Sequence, residues 1–135
     1  MPPKGINKES MEDYLKTVFV LSQTQVVHPV DIADKLGYSK PSVSVAVKKM
    51  EQAGYITVDS DHAITMTDKG WKMGKNIYDR NQTFEKLLIH LGIAPETAHR
   101  DAGKMEHALS QESFVAFKKM LVQAGEAMGV TWEIP

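Results

Sequence analysis

Apolar side chains recur along this chain at spacings of three and four, interrupted by two short alternating runs, and that rhythm describes a mainly α protein. Met11, Tyr14, Leu15, Val18, Phe19 and Leu21 form the first stripe. It predicts a helix capped by Ser10 and running to about Ser22, with Glu12 and Asp13 in its first turn, where anions suit the helix dipole. Residues 1–8 read as a loose arm. Ile32, Ala33 and Leu36 share one face of a short helix that Pro29 can open and Gly37 ends. Val43, Ala46, Val47 and Met50 mark a third helix, capped by Ser39, with Pro41 in its first turn and Gly54 as its stop. Tyr55–Val58 and Ala63–Met66 predict two strands around the polar turn Asp59–His62.

Longer periodic stretches follow. Met73, Ile77, Phe84, Leu87, Leu88 and Leu91 predict a helix from a cap at Thr67 or Asp68 to about Leu91, with Gly92 ending it. Ala98, Ala102, Met105 and Leu109 predict a helix from Pro95 to about Leu109. Ser110 then caps a last helix to about Met128, with Phe114, Phe117, Leu121 and Ala124 facing inward. A tail carries Trp132 and Ile134.

Helix, tight turn, helix and hairpin in that order make a winged helix-turn-helix, whose second helix enters the DNA major groove. The polar face of that helix suits the task. Ser39, Lys40, Pro41, Ser42 and Ser44 cluster at its N-terminus, where hydroxyls, free N–H groups and the dipole can hold a phosphate. Val45 can meet a thymine methyl, and Lys48 and Lys49 can reach the backbone further along. An ordinary solvated hairpin also presents serines and lysines; the ordered combination of hairpin, capped helix and wing decides for DNA. With no arginine on the helix, bidentate guanine readout is not expected, and Asp59 and Asp61 predict a wing that touches DNA weakly.

Composition narrows the field. A net charge of −1 argues against a general nucleic-acid coat but not against a local basic patch. There is no cysteine, hence neither a disulfide framework nor a thiolate metal site. No apolar run is long enough to span a bilayer and the N-terminus lacks a signal core, so a cytoplasmic protein is expected, with no membrane partner. No nucleophile with its base is recognisable, and enzyme activity is not expected.

A second polar stripe stands out late in the chain. His99, Gly103, Glu106 and His107 fall near one helical face, and imidazole with carboxylate suits divalent transition metals. Asn81 and Glu85, one turn apart on the preceding helix, and Asp13 on the first, are further candidates.

At this point the chain resembles the manganese transport regulator and diphtheria toxin repressor family of metal-dependent repressors, from Ser10 to about Leu121. The carrying stretches are SMEDYLKTVFVL, VDIADKLGYSKPSVSVAVKKMEQAGYI, TMTDKG and DAGKMEHALS. The resemblance implies a winged helix-turn-helix DNA-binding domain over residues 1–70 and an all-helical dimerisation and metal-sensing domain over residues 71–135. It implies a homodimer that binds double-stranded operator DNA when Mn2+ or Fe2+ is bound and represses metal-homeostasis genes; the short chain is more like the manganese branch. Asp13, Glu106 and His107 match primary ligands, and Glu85 and His99 match ancillary ones. Three residues depart from the pattern: Lys16 stands at a glutamate position, Asn81 at a histidine position, and Gly103 at a glutamate or cysteine position, leaving only its backbone carbonyl. The leading expectation is a metal-responsive repressor. The alternative is a metal-independent winged-helix regulator with a degraded site, or one that answers to another effector.

Overall fold

The first helix begins earlier than its serine suggests. In the computed structural model, which describes residues 6–130 and 132, α1 spans Lys8–Ser22 and its N-cap is Asn7, whose side chain accepts the Ser10 N–H at 2.7 Å. Asparagine in an extended conformation is as good a cap as serine, so Ser10 falls inside the first turn. The arm expected to reach Lys8 therefore ends sooner: Lys8 opens α1 and Ile6 packs against the core, while residues 1–5 lie outside the described residues.

Among the described residues there are six helices and one two-stranded sheet, and the chain divides into two compact units, residues 1–78 and 79–135. In the first unit α1 is followed by α2 (Pro29–Leu36), α3 (Lys40–Gln52), β1 (Ile56–Val58), β2 (Ile64–Met66) and the start of α4 (Asp68–His90). Gly37 closes α2 at φ 71°, a left-handed geometry that glycine adopts without Cβ strain. The strands pair antiparallel with Thr57 opposite Thr65, and the connection after α1 joins them where the Ile64 N–H donates to the Val27 carbonyl at 2.7 Å. Leu15, Val18, Val27, Ile32, Val43, Ala46, Met50 and Ile56 form the buried centre, one face from each element. Burying such side chains is worth about 1.5–3 kcal/mol each, which holds a capped but short α3 in place. Thr67 caps α4 by accepting the Gly70 N–H at 3.2 Å.

In the second unit α4 runs on to His90, Gly92 turns the chain at φ 90°, and α5 (Pro95–Met105) and α6 (Gln111–Met128) follow. Phe84, Ala102 and Phe114 are its buried centre, with Met105, Leu109 and Phe117 against it. Ser110 caps α6 by accepting the Ser113 N–H at 3.1 Å. Two residues of the expected stripes are exposed. Leu91 lies past the last residue of α4, and at the level of Ala124 the inward position is one residue on, where buried Gly125 lets Trp132 and the Val130 carbonyl come close. Ile134 lies outside the described residues. No described helix is long and apolar enough to cross a membrane.

Candidate functional site

The polar face of α3 is built by its own cap. Ser39 is extended at φ −70° and ψ 152°, its Oγ accepts the Ser42 N–H at 3.3 Å, and its hydroxyl donates to Ser42 Oγ at 2.9 Å. Val43, Ala46, Val47 and Met50 are buried beneath, so Lys40, Pro41, Ser44, Val45, Lys48 and Lys49 are exposed together, and Ser42 is half-buried at the edge. Tyr38, in the turn before the cap, is exposed beside them and meets Tyr14 edge-on at 5.9 Å between ring centroids. Burial, and then the neighbouring Tyr38, push the Tyr14 phenol above its ordinary value. In the wing, Asp59 Oδ1 accepts the N–H groups of Asp61 and Ala63 at 2.8 and 3.0 Å, and His62 takes a left-handed φ of 63°. One wing carboxylate is thus spent on folding the turn itself.

The candidate metal ligands divide between the units. Asp13 and Lys16, both half-buried, lie on α1. In the second unit the helix expected to reach Leu109 stops at Met105. Glu106 is its C-cap, and the next two N–H groups bond three residues back, His107 to Lys104 and Ala108 to Met105. This turn meets Arg80 on α4, which the sequence reading passed over. Its buried guanidinium donates to the Glu106 carbonyl at 3.3 Å, to the Leu109 carbonyl, and to Gln111 Oε1 at 3.1 Å, satisfying carbonyls at and beyond the helix end. The signal was available: Ile77, Arg80, Asn81 and Phe84 follow the buried period of α4, and all four are buried.

In that turn Glu106 is fully buried and His107 Nε2 lies 3.4 Å from Glu106 Oε2, with the imidazole side chain 7% exposed. The pair offers one carboxylate and one imidazole donor out of water, the N,O donor type that divalent transition metals take. Gly103, one turn earlier, has nothing within 4 Å of where a Cβ would stand. Its carbonyl does not receive the His107 N–H, which goes to Lys104. Glu85 and His99 also come together, Oε1 to Nδ1 at 3.2 Å. Asn81 is buried and its Oδ1 accepts from Gln82 Nε2 at 2.9 Å. The donor chemistry fits a divalent cation.

Two family models match, the iron-dependent repressor N-terminal DNA-binding domain over residues 8–64 and the iron-dependent repressor metal-binding and dimerisation domain over residues 67–126. The transcriptional regulator MntR of Salmonella typhimurium is 33% identical over 119 residues, which is 87% of this chain and 76% of that protein. The chain belongs to the iron-dependent repressor family. Like its relatives it is a DNA-binding transcriptional regulator and not an enzyme. An HTH-type transcriptional regulator of Methanocaldococcus jannaschii is 33% identical over 107 residues, 77% of this chain and 86% of that one. Among solved structures, the metal-dependent transcriptional regulator MtsR superposes with a TM-score of 0.75 at 31% identity. A manganese-dependent transcriptional repressor in complex with manganese gives 0.70 at 27%. Each match covers 82% of this chain but only 53% and 52% of the solved chains, so the chain spans about half their length. The family's metal-binding domain contains the Glu106–His107 turn, the Glu85–His99 pair and Gly103.

Proposed function

We propose that this protein is a cytoplasmic, homodimeric repressor whose hold on double-stranded operator DNA is set by a divalent cation, Mn2+ or Fe2+. The observation that carries this reading is the fully buried Glu106 beside His107, in a turn of the family's metal-binding domain. Glu106 and His107 hold the metal, the carbonyl of Gly103 adds a neutral oxygen, and the family pattern adds Asp13 from α1. Glu85 and His99 form an ancillary pair. Oxygen and imidazole donors without a thiolate favour Mn2+ or Fe2+ over softer ions.

Bound metal supplies positive charge that carboxylates can share. Leu15 and Val18 of α1 form part of the core beneath α3. Ser39, Lys40, Pro41, Ser42, Ser44, Val45, Lys48 and Lys49 form the DNA-reading surface. A dimer presents two such helices to half-sites about one turn of DNA apart. Lys16 and the neutral Asn81 make the ligand set poorer than the family pattern, so a modest metal affinity follows.

The test is titration of Mn(II) into the metal-stripped protein by calorimetry, with a parallel DNA mobility shift. The reading requires that metal binds and tightens DNA binding, and that Glu106→Ala abolishes both. Equal retention of DNA in excess chelator would overturn it.

A further inference from the structure

Arg80 is an expensive residue to keep where it is. A residue that is 6% exposed keeps little water on its guanidinium, whose acceptors here are two backbone carbonyls and one side-chain amide. Among the described residues its Nε has no hydrogen-bond partner. An apolar side chain of similar length would fill the space beside Phe114, whose ring centroid lies 5.3 Å from the guanidinium carbon, at lower cost. The arginine does something packing does not require: its Nη1 donates to the carbonyls of both Glu106 and Leu109, the two ends of the turn that carries Glu106 and His107.

We propose that Arg80 is a positioning residue that pre-forms the Glu106–His107 turn for a divalent cation, a role that rests on the metal-responsive reading above. Without Arg80 the backbone bonds that hold His107 and Ala108 are the i to i−3 bonds, whose geometry is poorer than that of an α-helix. The guanidinium binds the Glu106 and Leu109 carbonyls and so ties both ends of this turn, with its i to i−3 bonds at His107 and Ala108, to α4. In that turn the carboxylate and imidazole lie 3.4 Å apart. Gln111, at the start of α6, steadies the other arm of the fork. Outer-shell partners of this kind typically change metal affinity 10–100-fold.

The experiment uses the full chain and the variants Arg80→Met, Arg80→Lys and Gln111→Ala. Amide hydrogen exchange is followed in the metal-free proteins, with Mn(II) calorimetry and Co(II) absorption in parallel. In Arg80→Met the amides of Glu106 to Ala108 lose protection while those in the middle of α4 and α6 keep theirs. Mn(II) binds about 10–100-fold more weakly, and the Co(II) ligand-field bands change shape. Arg80→Lys recovers part of both effects, and Gln111→Ala, at an exposed position, loosens the turn without loss of fold. Mn(II) binding that is unchanged or tighter in Arg80→Met, with wild-type binding intact, would overturn this inference alone. So would loss of protection throughout the second unit in both Arg80→Lys and Gln111→Ala, which would make the arginine a packing element. Failure of the wild-type chain to bind either metal would remove the metal-responsive reading and this role together.

Discussion

Glu85 Oε1 lies 3.2 Å from His99 Nδ1, although fourteen residues separate them in the chain. The turn through Gly92 folds α5 back so that the last turns of α4 meet the first turns of α5. The imidazole is 76% exposed and the carboxylate 25%, whereas Glu106 is fully buried. A wet pair should bind a cation weakly, because water competes for the metal and for the carboxylate. The expected result is two phases in a Mn(II) titration. Glu85→Ala or His99→Ala removes the weaker phase only, and Glu106→Ala removes the stronger. Loss of both phases from His99→Ala would mean a single shared site.

Gly103 and Gly70 should respond oppositely to an added methyl. Nothing lies within 4 Å of a Cβ at Gly103, so Gly103→Ala gains about 0.5–1 kcal/mol of helix stability. A Cβ at Gly70 would stand 1.9 Å from the Tyr55 carbonyl oxygen, and Gly70→Ala should cost about 1–3 kcal/mol or more. Thermal unfolding checks both. Gly103→Glu tests the open space chemically: a new carboxylate there should tighten Mn(II) about tenfold, the equivalent of about 1.4 kcal/mol.

On α3, cap and charge separate cleanly. Ser39→Ala removes the acceptor of the Ser42 N–H and should lower stability by about 1 kcal/mol, with DNA affinity falling at the same time. Lys48→Ala, at an exposed position, should leave stability unchanged, weaken DNA binding across sequences, and reduce the slope of log affinity against log salt by about one. Binding isotherms at four salt concentrations, beside melting curves, distinguish the two.

Tyr14 gives the first unit an alkaline limit. Its phenol is held above its ordinary value of 10.0 by burial and then by Tyr38. Above pH 10 the unfolded chain therefore gives up this proton before the folded one does, the folded state binds more protons, and stability falls as pH rises. Melting temperatures from pH 9 to 11 should decline more steeply for the wild type than for Tyr14→Phe. Identical slopes would show that Tyr14 does not carry the effect.

Much of this molecule is legible in one dimension because its determinants are local. The apolar period of α1, α3 and α4, the Ser39 and Ser110 caps, Gly37 in its left-handed turn and the strand pair around Asp59–His62 all depend on residues a few positions apart. Stretches such as DAGKMEHALS and VDIADKLGYSKP sufficed to place the chain in its family, and they named Glu106, His107 and the α3 face as candidates. The turn after α5 was not legible, because it meets Arg80, 26 residues from Glu106, and a helical stripe records only what happens within one helix. The Asn7 cap went unread because asparagine and serine are about equally good N-caps, so the residue types alone do not choose between Asn7 and Ser10. The contact of Glu85 with His99, the empty space at Gly103 and the crowded one at Gly70 likewise belong to the tertiary structure alone. Periodicity states which face of a helix is buried; only the folded chain decides what each face meets, because those neighbours arrive from distant positions.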